Sequence, residues 1–354
     1  MAITIIVDGE KQVLPVEMHV ELWRELYIQP SHHNHRVVIN GHEINETKEK
    51  TVFFKDGDIV TWGSDKSSEL GIDGVCPASL PGDFSEKDII HYSRNMLIPG
   101  VGRKGQYCLQ QAKVLIIGAG GLGSPAALYL TAAGVGTIGI VDADVVDLSN
   151  LQRQIIHNTS NLNEPKVESA QAKLKALNPE VKVNTYHTYV TADNIIDIIT
   201  DYDFVLDCTD NFQSKFLIND ACVLTARPLA HAGIIRFQGQ LTTYLPDKGP
   251  CYRCLFPDLP PAHTVLTGGR GGVMGALCGI VGSMQALEAI KYFLNVGELL
   301  NGYLLKVDGL TMEFRKMKLP RNPDCKFCGK HASADVLPPQ WRELFVPKHS
   351  TDAW

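Results

Sequence analysis

A glycine turn set between an apolar strand and a long apolar helix constrains this 354-residue chain more than any other feature. The run KVLIIGAGGLGSPAALYLTAAGVGTIGIVDAD reads as strand, tight turn, helix and strand, one βαβ unit. Parallel strands joined in this way need helices on both faces of their sheet, so the unit commits the chain around it to an α/β architecture. DFVLDCTDN, RPLAHAGI and QLTTYLP are expected to be further strands. VESAQAKLKAL and MGALCGIVGSMQALEAIKYFL are expected to be helices. The sheet is therefore expected to be mostly parallel.

Within the unit, GAGGLG places Gly118, Gly120, Gly121 and Gly123 between strand and helix. A Rossmann-like loop of this kind lets backbone N–H groups approach a phosphate at a helix N-terminus. Asp142, in the DAD motif that also holds Asp144, stands where an acid binds ribose hydroxyls. These features leave NAD and ATP both open, with NAD the more usual partner. The residues that follow reverse the order. SNLQRQ brings Ser149, Asn150, Leu151, Gln152, Arg153 and Gln154 just past the second strand, and EPKVESA brings Lys166. A dehydrogenase has little use for additional cations there. Nucleotidyl transfer develops charge on the α-phosphate and on departing pyrophosphate, so Arg153 and Lys166 beside a triphosphate make chemical sense. DCTDN ends another strand at the edge where open α/β sheets bind ligands. Asp210 is the candidate magnesium ligand, with Asn211 beside it, while Asp207 is expected to orient the turn. Ser85 and Asp88 form a capping box that opens a helix carrying Arg94.

Two CxxC knuckles, Cys251/Cys254 and Cys325/Cys328, lie about 70 residues apart beside turn-forming residues. Four thiolates in two knuckles suit a closed, structural zinc site that ties the C-terminal segment to the domain. A net charge of −6 gives no reason to expect nucleic acid or an anionic membrane as partner. The start MAITIIVDGE meets an acid too early for a secretory signal, and no apolar run is expected to reach the roughly 18 residues of a membrane span. The expectation is a cytoplasmic protein with reduced thiols.

Together these motifs resemble the bacterial adenylyltransferases of the ubiquitin-activating-enzyme superfamily, of the ThiF and MoeB type, over about residues 84–330. The resemblance implies a homodimer with ATP and magnesium in each subunit. It implies Gly121 against the nucleotide, Asp142 on ribose, Ser149 to Arg153 along the site, Lys166 on the phosphates, and Asp210 with Asn211 at the metal. HYSRN matches the segment whose arginine reaches into the partner's site, which makes Arg94 a candidate catalytic group in trans. The four CxxC cysteines match the family's zinc ligands. The implied reaction is adenylation of the C-terminal Gly-Gly carboxylate of a ubiquitin-like sulfur-carrier protein, releasing pyrophosphate. Adenylation of another peptide C-terminus is the alternative, and an NAD-dependent oxidoreductase a distant third.

Residues 1–64 read as a small α+β unit, residues 65–83 as a linker, and 84–354 as the adenylation domain. The first unit resembles the β-grasp sulfur carriers themselves, through VING and the KDGD turn. A carrier must end in a free diglycine, and TWGSDKSSELGIDG contains none, so this unit is not expected to be the substrate. The segment HTVLTGGRGGVMG after the first CxxC pair carries no cysteine to attack an acyl-adenylate. Any sulfur is therefore expected to come from a separate donor.

Overall fold

The structure is a computed structural model, and it describes residues 84–98, 100–260, 271–330 and Trp341, with five strands between Ala2 and Gly63. The chain divides into two compact units, Met1–Glu69 and Leu70–Trp354.

In the first unit, β1 (Ala2–Val7) and β2 (Glu10–Pro15) form an antiparallel hairpin, as the Asp-Gly turn predicts. β3 (Arg36–Ile39), β4 (His42–Ile44) and β5 (Ile59–Gly63) complete a sheet of order β2-β1-β5-β3-β4. The last strand joins the first in parallel, and the other pairings are antiparallel. The stretch VELWRELYI, whose spacing predicts a helix, and the linker lie outside the described residues.

The second unit is built on one eight-stranded sheet. Its strands are β6 (Lys113–Ile117), β7 (Thr137–Val141), β8 (Lys182–Tyr186), β9 (Phe204–Asp207), β10 (Leu229–Ile235), β11 (Gln238–Tyr244), β12 (Tyr303–Asp308) and β13 (Glu313–Lys318). Their order is β13-β12-β11-β10-β9-β6-β7-β8. From β8 to β10 the pairings are parallel, and from β10 to β13 they are antiparallel. The mostly parallel sheet is as expected. The β12–β13 hairpin was not, because EFRKMK is charged and exposed along nearly its whole length and carries no apolar alternation.

The helices are α1 (Glu86–Met96), α2 (Gly102–Gln111), α3 (Gly123–Ala132), α4 (Lys166–Leu177), α5 (Ile195–Thr200), α6 (Phe212–Leu224), α7 (Tyr252–Leu255) and α8 (Gly275–Leu294). The α1 capping box forms as read, with Ser85 Oγ accepting from the Asp88 N–H and Asp88 reaching back to Ser85. In KVLII, Val114 and Ile116 enter one core with Leu130, Leu174 and Phe293, while Leu115 and Ile117 enter the other with Ile195, Phe216 and Tyr252. Burial on both faces is why the strand reads as an unbroken apolar run. Each such side chain removed from water contributes about 1.5–3 kcal/mol.

α8 corrects one expectation. It is long and apolar enough to cross a membrane, but half of it is buried inside the domain and Glu288 binds Thr243 and the Leu300 N–H from it. It serves here as a core helix, packed on α3, β10 and β11. Cys208, Cys222, Cys251, Cys254, Cys278, Cys325 and Cys328 are free thiols, as expected, whereas Cys108 is disulfide-bonded.

Candidate functional site

The chain runs β6, β7, β8 in one direction across the sheet and then returns to lay β9 and β10 on the other side of β6. Loops at the carboxyl ends of β6 and β9 therefore part, and ligands bind at such a switch point. A cavity of about 560 Å³ opens there. Of the residues singled out by sequence, Gly118, Gly120, Gly121, Asp142, Asp144, Arg153, Gln154, Lys166, Asp210 and Asn211 line it. Gly123, Ser149, Asn150, Leu151, Gln152 and Arg94 do not.

The glycines act differently. Gly118 has φ +103°, and a Cβ on it would stand 2.8 Å from the Cys208 carbonyl oxygen where β9 ends. A Cβ on Gly123 would fall 1.9 Å from the Gly118 carbonyl oxygen, so this glycine closes the turn and does not face the cavity. Ala119 between them is held from two sides. Its N–H donates to Asp142 Oδ2 at 2.8 Å, and its carbonyl oxygen lies 3.0 Å from His157 Nε2. Burial depresses the His157 pKa, keeping the ring neutral. A carbonyl can only accept, so Nε2 carries the proton and Nδ1 accepts from the Ser169 hydroxyl at 2.8 Å. His157 carries no sequence signal; it is one buried histidine whose partners lie 12 and 38 residues away.

Asp142 also takes the Asp144 N–H on Oδ1, so both its oxygens already order backbone. Burial, despite nearby Lys166 and these hydrogen bonds, raises its carboxyl above the ordinary value. Lys166, at the start of α4, is buried, and its ammonium lies 2.8 Å from Asp144 Oδ2. An isolated bridge between Val145 and Pro165 brings these segments together. Arg153 donates to the Ser149 carbonyl oxygen at 3.2 Å, which is how the SNLQRQ turn aims the guanidinium. Asp147 caps that turn, accepting from the Ser149 N–H at 2.7 Å. Asp210 is exposed on the cavity wall and makes no side-chain hydrogen bond among the described residues. Asn211 is the N-cap of α6, its Oδ1 accepting from the Ser214 N–H at 2.8 Å. Arg94 is exposed on α1.

Asp207 does orient its turn, as expected: Oδ1 accepts from the Thr209 N–H and hydroxyl at 3.0 and 2.6 Å. Sequence reasoning missed what it does with Oδ2, which receives Lys215 at 2.9 Å and His231 Nδ1 at 2.8 Å. Burial alone would raise this carboxyl; Lys215 and the His231 and Thr209 hydrogen bonds outweigh it and hold the group well below the usual range. Cys278 is buried and also lines the cavity, beside Gly121 and Arg153.

The four CxxC sulfurs come together as expected, all within 4.8 Å of one another. Cys251 and Cys325 sulfurs are 3.7 Å apart, and those of Cys254 and Cys328 are 3.4 Å apart. Tetrahedral zinc with Zn–S bonds of about 2.3 Å requires sulfur separations of about 3.8 Å, so the cage fits that ion. The Asn322 N–H donates to Cys254 Sγ, and the Arg321 guanidinium donates to the Cys328 carbonyl oxygen. Next to the cage, Arg253 grips Asp220 with two 2.7 Å bonds, beneath Phe327 and Phe216. Trp341 joins them, its indole N–H donating to Asp220 Oδ2 at 2.9 Å.

A doubly wound α/β sheet with a glycine loop and cations at its switch point defines a nucleotide-binding protein of the Rossmann-like class. More narrowly, the chain belongs to the ThiF family, whose pattern matches residues 92–327. It is 46% identical over 255 residues to the Culex quinquefasciatus protein named adenylyltransferase and sulfurtransferase MOCS3, covering 72% of this chain and 58% of that one. The Mus musculus protein of the same name is 45% identical over 270 residues, covering 76% and 58%. This chain thus spans 58% of the length of those two relatives. The Thermus thermophilus sulfur carrier protein adenylyltransferase is 44% identical over 251 residues, 70% of this chain and 93% of that protein. Among solved structures, E. coli MccB with MccA-N7isoASN is similar with a TM-score of 0.63 and 22% identity, covering 71% of this chain and 77% of that one. That likeness speaks to the fold.

Proposed function

We propose that this protein is an ATP-dependent adenylyltransferase that activates the C-terminal Gly-Gly carboxylate of a ubiquitin-like sulfur-carrier protein. The observation that carries the reading is the convergence of Lys166, Arg153 and Asp210 on the cavity that holds the glycine loop. Two cations and an unengaged carboxylate suit a triphosphate and its metal better than a dinucleotide. The 44% identity to the Thermus protein across 93% of its length supports the carrier as substrate.

In this mechanism the loop N–H groups and the α3 N-terminus bind phosphate, and Asp142 holds the loop while receiving ribose. A carboxylate oxygen of the carrier bonds to the α-phosphorus, and the bond to the bridging oxygen breaks as pyrophosphate leaves with the electron pair. Arg153 and Lys166 stabilise the charge that spreads over the departing phosphates. Asp210 would hold magnesium, which neutralises triphosphate oxygens when bound. Cys251, Cys254, Cys325 and Cys328 would hold a structural zinc, away from the chemistry. The reading further includes a homodimer in which Arg94 serves the partner's site, a separate sulfur donor, and a cytoplasmic location where ATP is supplied. Carrier-dependent exchange of labelled pyrophosphate into ATP tests it. Exchange that requires a Gly-Gly-terminated carrier is expected, and ATP turnover with no dependence on any such carrier refutes it.

A further inference from the structure

The cavity does not end at the nucleotide loop. It continues past β9 under β10 to β12, where Lys215, Gly233, Gln240, Tyr252 and Lys306 form its wall. The strand register orders this end. Asp207 on β9 pairs with Ile117 of β6 on one side and with His231 of β10 on the other, so the three stand in one row, at the ends of β6 and β9. Gly233 pairs with Gln240, and Gln240 with Lys306, in the next rows outward. Asp142, Asp144 and Lys166 belong to the β7 side. Lys215 thus stands across the switch point from the residues assigned to ribose and phosphate.

Lys215 is held with unusual completeness for a lysine. Its side chain is 8% exposed. Two of the three ammonium N–H groups go to Asp207 Oδ2 at 2.9 Å and to the Ala232 carbonyl oxygen at 2.5 Å. Asp207 is fixed in turn by Thr209 and His231. Behind the lysine lies a second, much smaller cavity of about 10 Å³, walled among others by Lys215, His231, Gln240, Thr242 and Tyr252. Its polar inventory is specific. His231 donates from Nδ1 to Asp207, so its buried Nε2 is an acceptor; that atom and the buried Tyr252 hydroxyl have no hydrogen-bond partner among the described residues. Space for about one water, flanked by one acceptor, one donor and Gln240, is the chemistry of an internal water site. A water there would brace the wall behind Lys215, and the ammonium has one N–H left for the larger cavity, which the same residue lines.

A buried ion pair costs desolvation that an apolar pair of the same size would avoid. Its retention at a cavity wall, with the lysine's third N–H free to serve a ligand there, points to a bound anion. We propose that Lys215 binds the attacking carboxylate, with Asp207, His231 and Tyr252 as the residues that position it. The inference rests on the adenylation reading. Lys215 donates to one carboxylate oxygen; the other oxygen forms the bond to the α-phosphorus while the bond to pyrophosphate breaks, and no proton moves. The cation also offsets the repulsion between an incoming carboxylate and a triphosphate.

The test uses the full chain, carrier-dependent pyrophosphate exchange, and separate binding of a non-hydrolysable ATP analogue. Lys215→Met alone strands a buried carboxylate, so it is paired with Lys215→Met/Asp207→Asn, which removes both charges, and folding is followed by thermal melting. In the folded variants the carrier KM should rise by at least about tenfold, as expected for losing a hydrogen bond to a charged group, while the analogue Kd moves less than about twofold. Tyr252→Phe, which removes only a hydroxyl, should raise the carrier KM in the same direction with the analogue Kd unchanged. Unchanged carrier KM in the folded Lys215 variants overturns the inference. An equal loss of analogue binding also overturns it, because Lys215 would then belong to the nucleotide site. No exchange in the wild-type protein with any Gly-Gly carrier instead refutes the adenylation reading itself.

Discussion

The ammonium of Lys166 and the carboxylate of Asp144 lie 2.8 Å apart at the cavity wall, with the lysine side chain 7% exposed and the aspartate 55% exposed. The asymmetry has a consequence. The lysine is fixed by α4 and its surroundings, whereas the aspartate faces water and can yield to a phosphate. An exposed carboxylate contributes little to stability as an ion partner, so on the adenylation reading Asp144 keeps a buried cation satisfied until a phosphate arrives. Lys166→Met should lower carrier-dependent exchange about 10²–10³-fold. Asp144→Asn should leave exchange far closer to wild type, because the backbone bond from the Lys166 N–H to the Asp144 carbonyl oxygen remains. Equal losses in the two variants, measured as initial exchange rates, would show that the aspartate does more than shield the lysine.

His157 links the loop to pH. Its folded pKa lies below the ordinary histidine value because burial disfavours the charged ring. The unfolded chain therefore takes up a proton that the folded chain refuses. Stability from this group is fully present above the unfolded pKa of about 6.5 and is lost as pH falls below it toward the folded pKa. Thermal melting should show Tm falling through this range, with a shallower fall in His157→Gln. A His157→Gln profile parallel to wild type would remove the histidine from the account.

The zinc cage makes a separable prediction. Metal analysis should find about one zinc per chain. Cys254→Ser or Cys328→Ser should lower Tm more than it alters the exchange rate, because none of the four cysteines lines the cavity and Arg253, between two of them, ties the cage to α6 through Asp220. A fully folded protein free of zinc would remove the ion from the account.

What was legible in the sequence follows a physical rule. The glycine loop, the paired CxxC knuckles and the α1 capping box are local patterns, in which residues a few positions apart must cooperate to bend the chain or close a cage. They could be read before any fold was known. Lys166, Arg153 and Asp210 could be read because they stand just past strands, where the backbone delivers them to one edge. His157, Lys215 and His231 could not. Each is a single residue whose partner comes from another part of the chain, a meeting that sequence spacing does not encode. Asp207 shows both cases in one side chain. Its Oδ1 contact to Thr209, two residues on, was foreseeable, while its Oδ2 contacts to Lys215 and His231 were not. β13 escaped notice for the opposite reason, since an exposed charged edge strand has no buried face to leave an alternating pattern.

Arg94 offers a test of quaternary organisation. It is exposed on α1 and absent from the wall of its own chain's cavity. If it completes the site of a second copy, Arg94→Ala and Asp210→Ala should each lose most exchange alone. Mixed dimers of the two variants should recover part of it, since one of their two composite sites contains both residues. No recovery after demonstrated subunit exchange would confine the reaction to single chains.

The N-terminal sheet poses the last question. Its order, with the last strand parallel to the first, suits the carrier-like fold that VING and KDGD suggested, yet the chain after it has no diglycine end. On the adenylation reading, an N-terminal unit without a diglycine end can still compete with a carrier or select among carriers, because it belongs to the same chain as the nucleotide cavity. A random coil of about 19 residues has a root-mean-square reach of about 22–26 Å, short enough for a millimolar-scale effective concentration. Deleting residues 1–75 should therefore leave binding of an ATP analogue unchanged while shifting the carrier KM or the preference between two carriers. Competition predicts a lower KM in the truncated enzyme, and assisted docking predicts a higher one. Identical constants before and after deletion, with every carrier tried, would make the unit a passenger.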